Sequence, residues 1–98
     1  MTTKQRAYLK GLAMNLDPIF QLGKGGLTTE YIDSVEEALE ARELIKINVL
    51  KNCLDDPKEL AYAIAEHTDS EVVQIIGKKI VLYREARQPE KRKIVLPK

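Results

Sequence analysis

Tryptophan is absent from this 98-residue chain, the aromatics are limited to four tyrosines and one phenylalanine, and cysteine and histidine occur once each, as Cys53 and His67. A single cysteine excludes an intrachain disulfide, and together with a single histidine it cannot supply a zinc-type ligand set, so no metal is expected. A free thiol fits a reducing compartment, which makes a cytoplasmic location the expectation. No apolar run approaches the roughly 20 residues of a membrane span. The first residues, Met1-Thr2-Thr3-Lys4-Gln5-Arg6, lead into an amphipathic pattern instead of the unbroken apolar core of a signal peptide. Neither a membrane partner nor a targeting signal is expected. The length suits one domain with a modest core and is too short for a dinucleotide-binding fold joined to a substrate domain.

What is present is an ordinary globular balance, 44% hydrophobic and 32% charged, with its charge distributed unevenly. The net charge is only +1, yet residues 1–24 stand at +3, residues 25–77 at −8 and residues 78–98 at +6. Two basic ends meeting on one face would form a surface for a polyanion beside an acidic opposite side. A charge run can equally be a solvated face, so the tail alone decides nothing.

Hydrophobic spacing places the elements. Leu9, Leu12, Ala13 and Leu16 predict a first helix after Thr2 or Thr3, ended by Asp17-Pro18. Ile19 to Leu22 is a short strand. Thr28 or Thr29 caps a second helix with Ile32, Val35, Ala38 and Leu39 inward and Asp33, Glu36, Glu37 and Glu40 outward. Leu44 to Leu50 alternates as a strand, and Asp56-Pro57-Lys58-Glu59 opens a third helix. Val72 to Ile76 and Ile80 to Arg84 form a hairpin across Gly77-Lys78-Lys79. Glu85 to Lys98, charged and punctuated by proline, is expected to be only partly ordered. The order αβαβαββ implies a two-layer α/β domain over residues 1–84 with a four-stranded mixed sheet, helices two and three being crossovers.

Between the first strand and the second helix lies Leu22-Gly23-Lys24-Gly25-Gly26-Leu27-Thr28, which holds three of the five glycines. Glycines admit backbone N–H groups close to an anion, a helix N-terminus adds unpaired donors, and Lys24 adds a full charge. The Walker pattern fails because no Ser or Thr follows Lys24. The dinucleotide fingerprint would place its third glycine at Thr28, and Glu43, about twenty residues on, starts the second strand where the ribose-binding acid should end it. The remaining pattern is Gly-x-x-Gly, which in KH domains clamps the backbone of single-stranded RNA. Taken alone, a plain strand-to-helix turn explains this loop as well. The other polar residues assemble no enzyme and imply no cofactor. His67 stands near a helix end without a nucleophile or paired acid, Cys53 sits beside Asp55 and Asp56, and Asp56 with Glu59 is explained by capping. The tyrosines are scattered, and only an exposed Tyr8 or Tyr83 could stack on a base.

As a set, Lys4-Gln5-Arg6-x-Tyr8-Leu9-Lys10, Leu22-Gly23-Lys24-x-Gly26-Leu27-Thr28, Ala38-Leu39-x-x-Arg42-Glu43-Leu44-Ile45-Lys46, Val73-Gln74-x-Ile76-Gly77 and Val81-Leu82-Tyr83-Arg84 resemble the YhbY-like family, the stand-alone bacterial form of the CRM RNA-binding domain. The resemblance covers about residues 2 to 84. It implies a fold similar to the C-terminal domain of bacterial translation initiation factor three and a non-catalytic role on RNA. Stand-alone bacterial members are linked to precursors of the large ribosomal subunit, and plant relatives to intron splicing. The RNA-binding loop carries over to Gly23, Lys24, Gly25 and Gly26, leading through Leu27 and Thr28 into the helix, and the basic positions to Arg6, Lys10, Arg42, Lys46 and Arg84. Lys78 and Lys79 complete the expected basic surface. The glycine at position 25 departs from the pattern and should loosen the loop. Ribosomal RNA or a precursor of the large subunit is therefore the expected partner, with no small-molecule substrate. The alternative is a protein-interaction module that docks a ribosomal protein or assembly factor through the acidic second helix.

Overall fold

The structure, a computed structural model, describes Met1–Lys98. Its elements are α1 (Thr3–Ala13), β1 (Phe20–Leu22), α2 (Thr29–Arg42), β2 (Leu44–Val49), α3 (Pro57–Thr68), β3 (Glu71–Ile76) and β4 (Lys79–Tyr83), followed by a short 3-10 turn at Pro89–Lys91. This is the expected αβαβαββ order. Each helix begins where the sequence supplies a cap. The Thr2 hydroxyl accepts the Gln5 N–H at 3.1 Å while the Gln5 side chain accepts the Thr2 N–H at 3.0 Å, a complete capping box. Thr28 caps α2, and Asp56 with Pro57 opens α3.

The four strands form one mixed sheet in the order β1-β2-β4-β3. β1 and β2 are parallel, and β4 runs antiparallel to both its neighbours. α2 links the parallel pair β1 and β2, while α3 carries the chain across β4 to β3. Alternation along the strands sorts the apolar side chains. Ile45, Ile47, Val49, Ile80, Leu82 and Val72 face α2 and α3 and make the larger core with Val35, Leu39, Leu60 and Ile64. These two helices and the sheet are the expected layers. On the opposite face Leu44, Val73, Val81 and Tyr83 pack against Leu9 and Ala13 of α1. A β-bulge between Val72 and Gln74 turns Val73 to this second face. α1 covers only the half of that face near the start of β2.

The C-terminal segment is more ordered than expected. Ile94 and Leu96 join the core beneath α1, Ala86 is fully buried, and the Gln5 side chain donates to the Pro97 carbonyl at 3.1 Å. The anchor is Glu43, at the junction of α2 and β2 with φ 67°. Its carboxylate is completely buried and accepts three backbone N–H groups of the tail: Ala86 at 2.8 Å, Lys93 at 2.7 Å and Ile94 at 3.0 Å. Burial alone would push the Glu43 carboxyl up, but these three donors and Arg92 pull it below its ordinary value. Glu40 likewise accepts the Arg87 and Gln88 N–H groups, which hold its carboxyl low.

Candidate nucleic-acid interface

The glycine segment is a tight turn. Gly26 N–H donates to the Gly23 carbonyl at 3.0 Å, which leaves Lys24 at the exposed corner. Its glycines serve different ends. Gly26 has φ +66° and is held by geometry, whereas a Cβ on Gly23 would lie 3.2 Å from Asn52 Oδ1, a close approach that a small shift of the exposed Asn52 side chain would relieve. Gly25 has open space around it and an ordinary φ, so its hydrogen side chain is not required for the turn. The flanks are fixed by apolar contacts. Phe20 before the turn and Tyr31 after it pack with ring centroids 5.8 Å apart, and Leu27 packs against the larger core. The Tyr31 hydroxyl, buried without a hydrogen-bond partner, is pushed up to about 12 by that burial. Thr28 Oγ1 accepts the Tyr31 N–H at 3.0 Å, while the Thr29 and Glu30 amides find no backbone or side-chain acceptor. Glu30 in this first turn offsets part of the helix's positive end, so the lysines carry most of the available charge.

Strand register brings other basic turns beside this one. β1 and β2 end together, with Leu50 N–H bonded to the Leu22 carbonyl at 2.8 Å, so Lys51 in the next turn adjoins the glycine segment. The β3–β4 hairpin reaches the same edge, where Val49 N–H donates to the Lys78 carbonyl at 2.7 Å. Lys24, Lys51, Lys78 and Lys79 are all exposed there, and none is in an ion pair. Lys51 was not among the expected site residues. The clue to it is the register of a parallel pair, which places the turn after β2 next to the turn after β1. Lys46 extends the track along the open sheet face: it lines one groove with Lys79 and another with Arg42.

The remaining expected positions separate. Arg6 and Lys10 lie one turn apart on α1. Arg6 Nη1 donates to the Val72 and Val73 carbonyls at the bulge, so part of this guanidinium ties α1 to β3. Arg42 is exposed at the far end of α2, about 20 Å along the helix from Thr28. Arg84 is not on the basic surface. It is 7% exposed, contacts Glu36 at 3.3 Å and Glu40 at 3.2 Å, and donates to the Thr68 carbonyl at 3.1 Å. Two carboxylates make it an internal tie between α2, α3 and β4. In the tail, two arginines are paired at the surface: Arg87 meets Glu36 at 3.7 Å and Arg92 meets Glu85 at 3.4 Å, while Lys91, Lys93 and Lys98 are in no ion pair. α1 and the tail do meet, but away from the glycine turn.

The comparisons with known proteins agree with this architecture. The model of the CRS1 / YhbY (CRM) domain matches residues 1–84. The chain is 47% identical over 97 residues to a Bacillus subtilis protein named Probable RNA-binding protein YqeI, covering 99% of both chains. It is 40% identical over 98 residues to a Haemophilus influenzae protein named RNA-binding protein, covering all of this chain and 96% of that one. The solution structure of the Staphylococcus aureus protein SAV1595 superposes with a TM-score of 0.78 at 50% identity, covering 99% of both chains. With the domain model matching residues 1–84 and relatives at 40% identity or more over the full chain, this chain belongs to the CRS1 / YhbY (CRM) domain family.

Proposed function

We propose that this chain is a non-catalytic RNA-binding protein that grips the sugar-phosphate backbone of structured ribosomal RNA during large-subunit assembly. The observation that carries the reading is the convergence of the 23–28 turn, the Lys51 turn and the Lys78-Lys79 hairpin at one end of the sheet, with no ion pair among their lysines. Relatives spanning the full chain are named for RNA binding, which supports RNA as the ligand. Ribosomal RNA follows the family resemblance drawn from Arg6, Lys10, Gly23 to Thr28, Arg42 and Lys46. Lys24 and the amides at the start of α2 hold phosphates, and the neighbouring lysines extend the contact. Backbone contacts position an RNA without reading its sequence, so affinity falls steeply with salt. The protein-docking alternative relied on the acidic face of α2, and there Glu36 and Glu40 are already occupied by Arg84, Arg87 and tail amides.

Gradient sedimentation of cell extract separates the claims. Co-migration with large-subunit precursors at low salt, lost at high salt and weakened by Lys24→Ala, is the expected result. Co-migration unaffected by either would favour a protein partner.

A further inference from the structure

Half of the sheet face that carries α1 is uncovered, and its composition is specific. Reading across the strands in register, Gln21 pairs with Asn48, Asn48 with Lys79, and Lys79 with Ile76. Paired residues share a face, and this is the face opposite Ile47, Val49 and Ile80. One row further in, Lys46 pairs with Val81 and Val81 with Gln74. Lys46, Gln74, Ile76, Lys79 and Val81 line one shallow cleft with no carboxylate among them. The side-chain amides of Gln21, Asn48 and Gln74 make no hydrogen bond within the protein, whose side-chain bonds all lie elsewhere. Asparagine is a poor strand residue, and amides at these positions contribute little to packing.

We propose that this open half-face is a second contact for single-stranded RNA, where the three amides hydrogen-bond the edges of bases whose backbone is held at the glycine turn. The inference rests on the RNA-binding reading above and adds base discrimination to it. An amide presents a donor and an acceptor side by side, the complement of a base edge, and unstacked bases offer their Watson–Crick and Hoogsteen edges to such groups. The face carries no aromatic side chain: Phe20 and Tyr31 pack on the other side, and Tyr83 is buried beneath α1. Recognition is therefore by hydrogen bonding instead of stacking. Lys46 and Lys79 are interspersed with the amides and match the phosphates of a strand crossing the sheet, which selects a polyanion over a neutral protein surface. The row from Gln21 to Ile76 spans three inter-strand spacings, about 14 Å.

The test is a titration of the full chain with short homopolymers of adenosine, cytidine and uridine at several salt concentrations. The unmodified chain should bind one homopolymer at least about 5-fold tighter than the weakest, the lower bound for one good bidentate base contact. The double variant Asn48→Ala with Gln74→Ala should lose that preference while keeping its salt dependence, whereas Lys24→Ala should weaken all three and keep the preference. Equal affinity of the unmodified chain for all three, or a preference that survives the double variant, overturns the inference and leaves the backbone clamp standing. Absence of RNA binding overturns both. Photocrosslinking of the unmodified chain to thiouridine-containing RNA avoids dependence on the variant's folding. Adducts at Lys46, Asn48, Gln74, Ile76 or Val81 support the contact, and adducts confined to residues 23–28, Lys51 and the 77–79 hairpin overturn it.

Discussion

At the end of the sheet where β1 and β2 finish, Lys24, Lys51, Lys78 and Lys79 stand in solvent without ion pairs; at the other end Arg84, Arg87 and Arg92 are all met by glutamates. By sequence the last segment is the most basic, residues 78–98 carrying +6, yet two of those charges, Lys78 and Lys79, belong to the first end. Counting charge along a chain therefore misplaces the polyanion surface. What matters is charge left uncompensated after folding, and here arginine serves the structure while lysine remains available to a ligand. This division follows from chemistry. The planar guanidinium can bridge two carboxylates and a carbonyl, as Arg84 does, whereas a strongly hydrated ammonium is better left in water.

The sharpest way to break the structural end alone is Glu43→Ala. It leaves three tail N–H groups without their acceptor, at roughly 1–3 kcal/mol for each one that water cannot reach. The thermal midpoint should drop by more than about 10 °C, with RNA affinity of the folded fraction unchanged. Acid should do the same reversibly. Glu43 titrates lower folded than unfolded, so its contribution is fully present above the unfolded value. It is lost as pH falls below about 4.5 and through the folded value. Thermal melts from pH 6 to pH 3 should show this loss, and in Glu43→Gln the acid-dependent part should shrink.

The functional end should respond in the opposite sense. Replacing Lys24 and Lys78 by alanine should lower the slope of log affinity against log salt by about 1 for each phosphate no longer neutralised, with the melting curve unmoved. A smaller effect separates the glycines of the turn. Gly26→Ala, at φ +66°, should cost roughly 1–2 kcal/mol, and Gly25→Ala should be neutral or slightly stabilising by restricting the unfolded chain. Smallest of all is Arg87→Ala, whose side chain is 61% exposed and whose ion pair is 3.7 Å long; a shift within about 0.5 kcal/mol is expected by denaturant titration.

The elements were legible because each carried its own local signal: a threonine cap before α1, Asp56-Pro57 at α3, alternation in β2, and β-branched runs flanking Gly77 in β3 and β4. The glycine turn and its lysine were legible for the same reason. Three features depend on pairings that cross the chain and leave no local mark. The burial of Arg84 requires Glu36 and Glu40 from α2. The order of the tail requires Glu43, whose spacing from the glycines resembled a ribose-binding acid. Its carboxylate instead takes three amides from residues 86–94. Lys51 joins the site only through the parallel register of β1 and β2.

The central claim is that the lysines at the glycine-turn end of the sheet, and not the basic tail, meet the RNA. One titration compares them directly: a ribosomal RNA fragment with the unmodified chain, with Lys24→Ala/Lys51→Ala/Lys78→Ala, and with Arg87→Ala/Lys91→Ala/Arg92→Ala, over a salt series. The expected result is a reduced affinity and a shallower salt slope for the first variant only. A loss confined to the tail variant, or equal losses in both, would contradict the account.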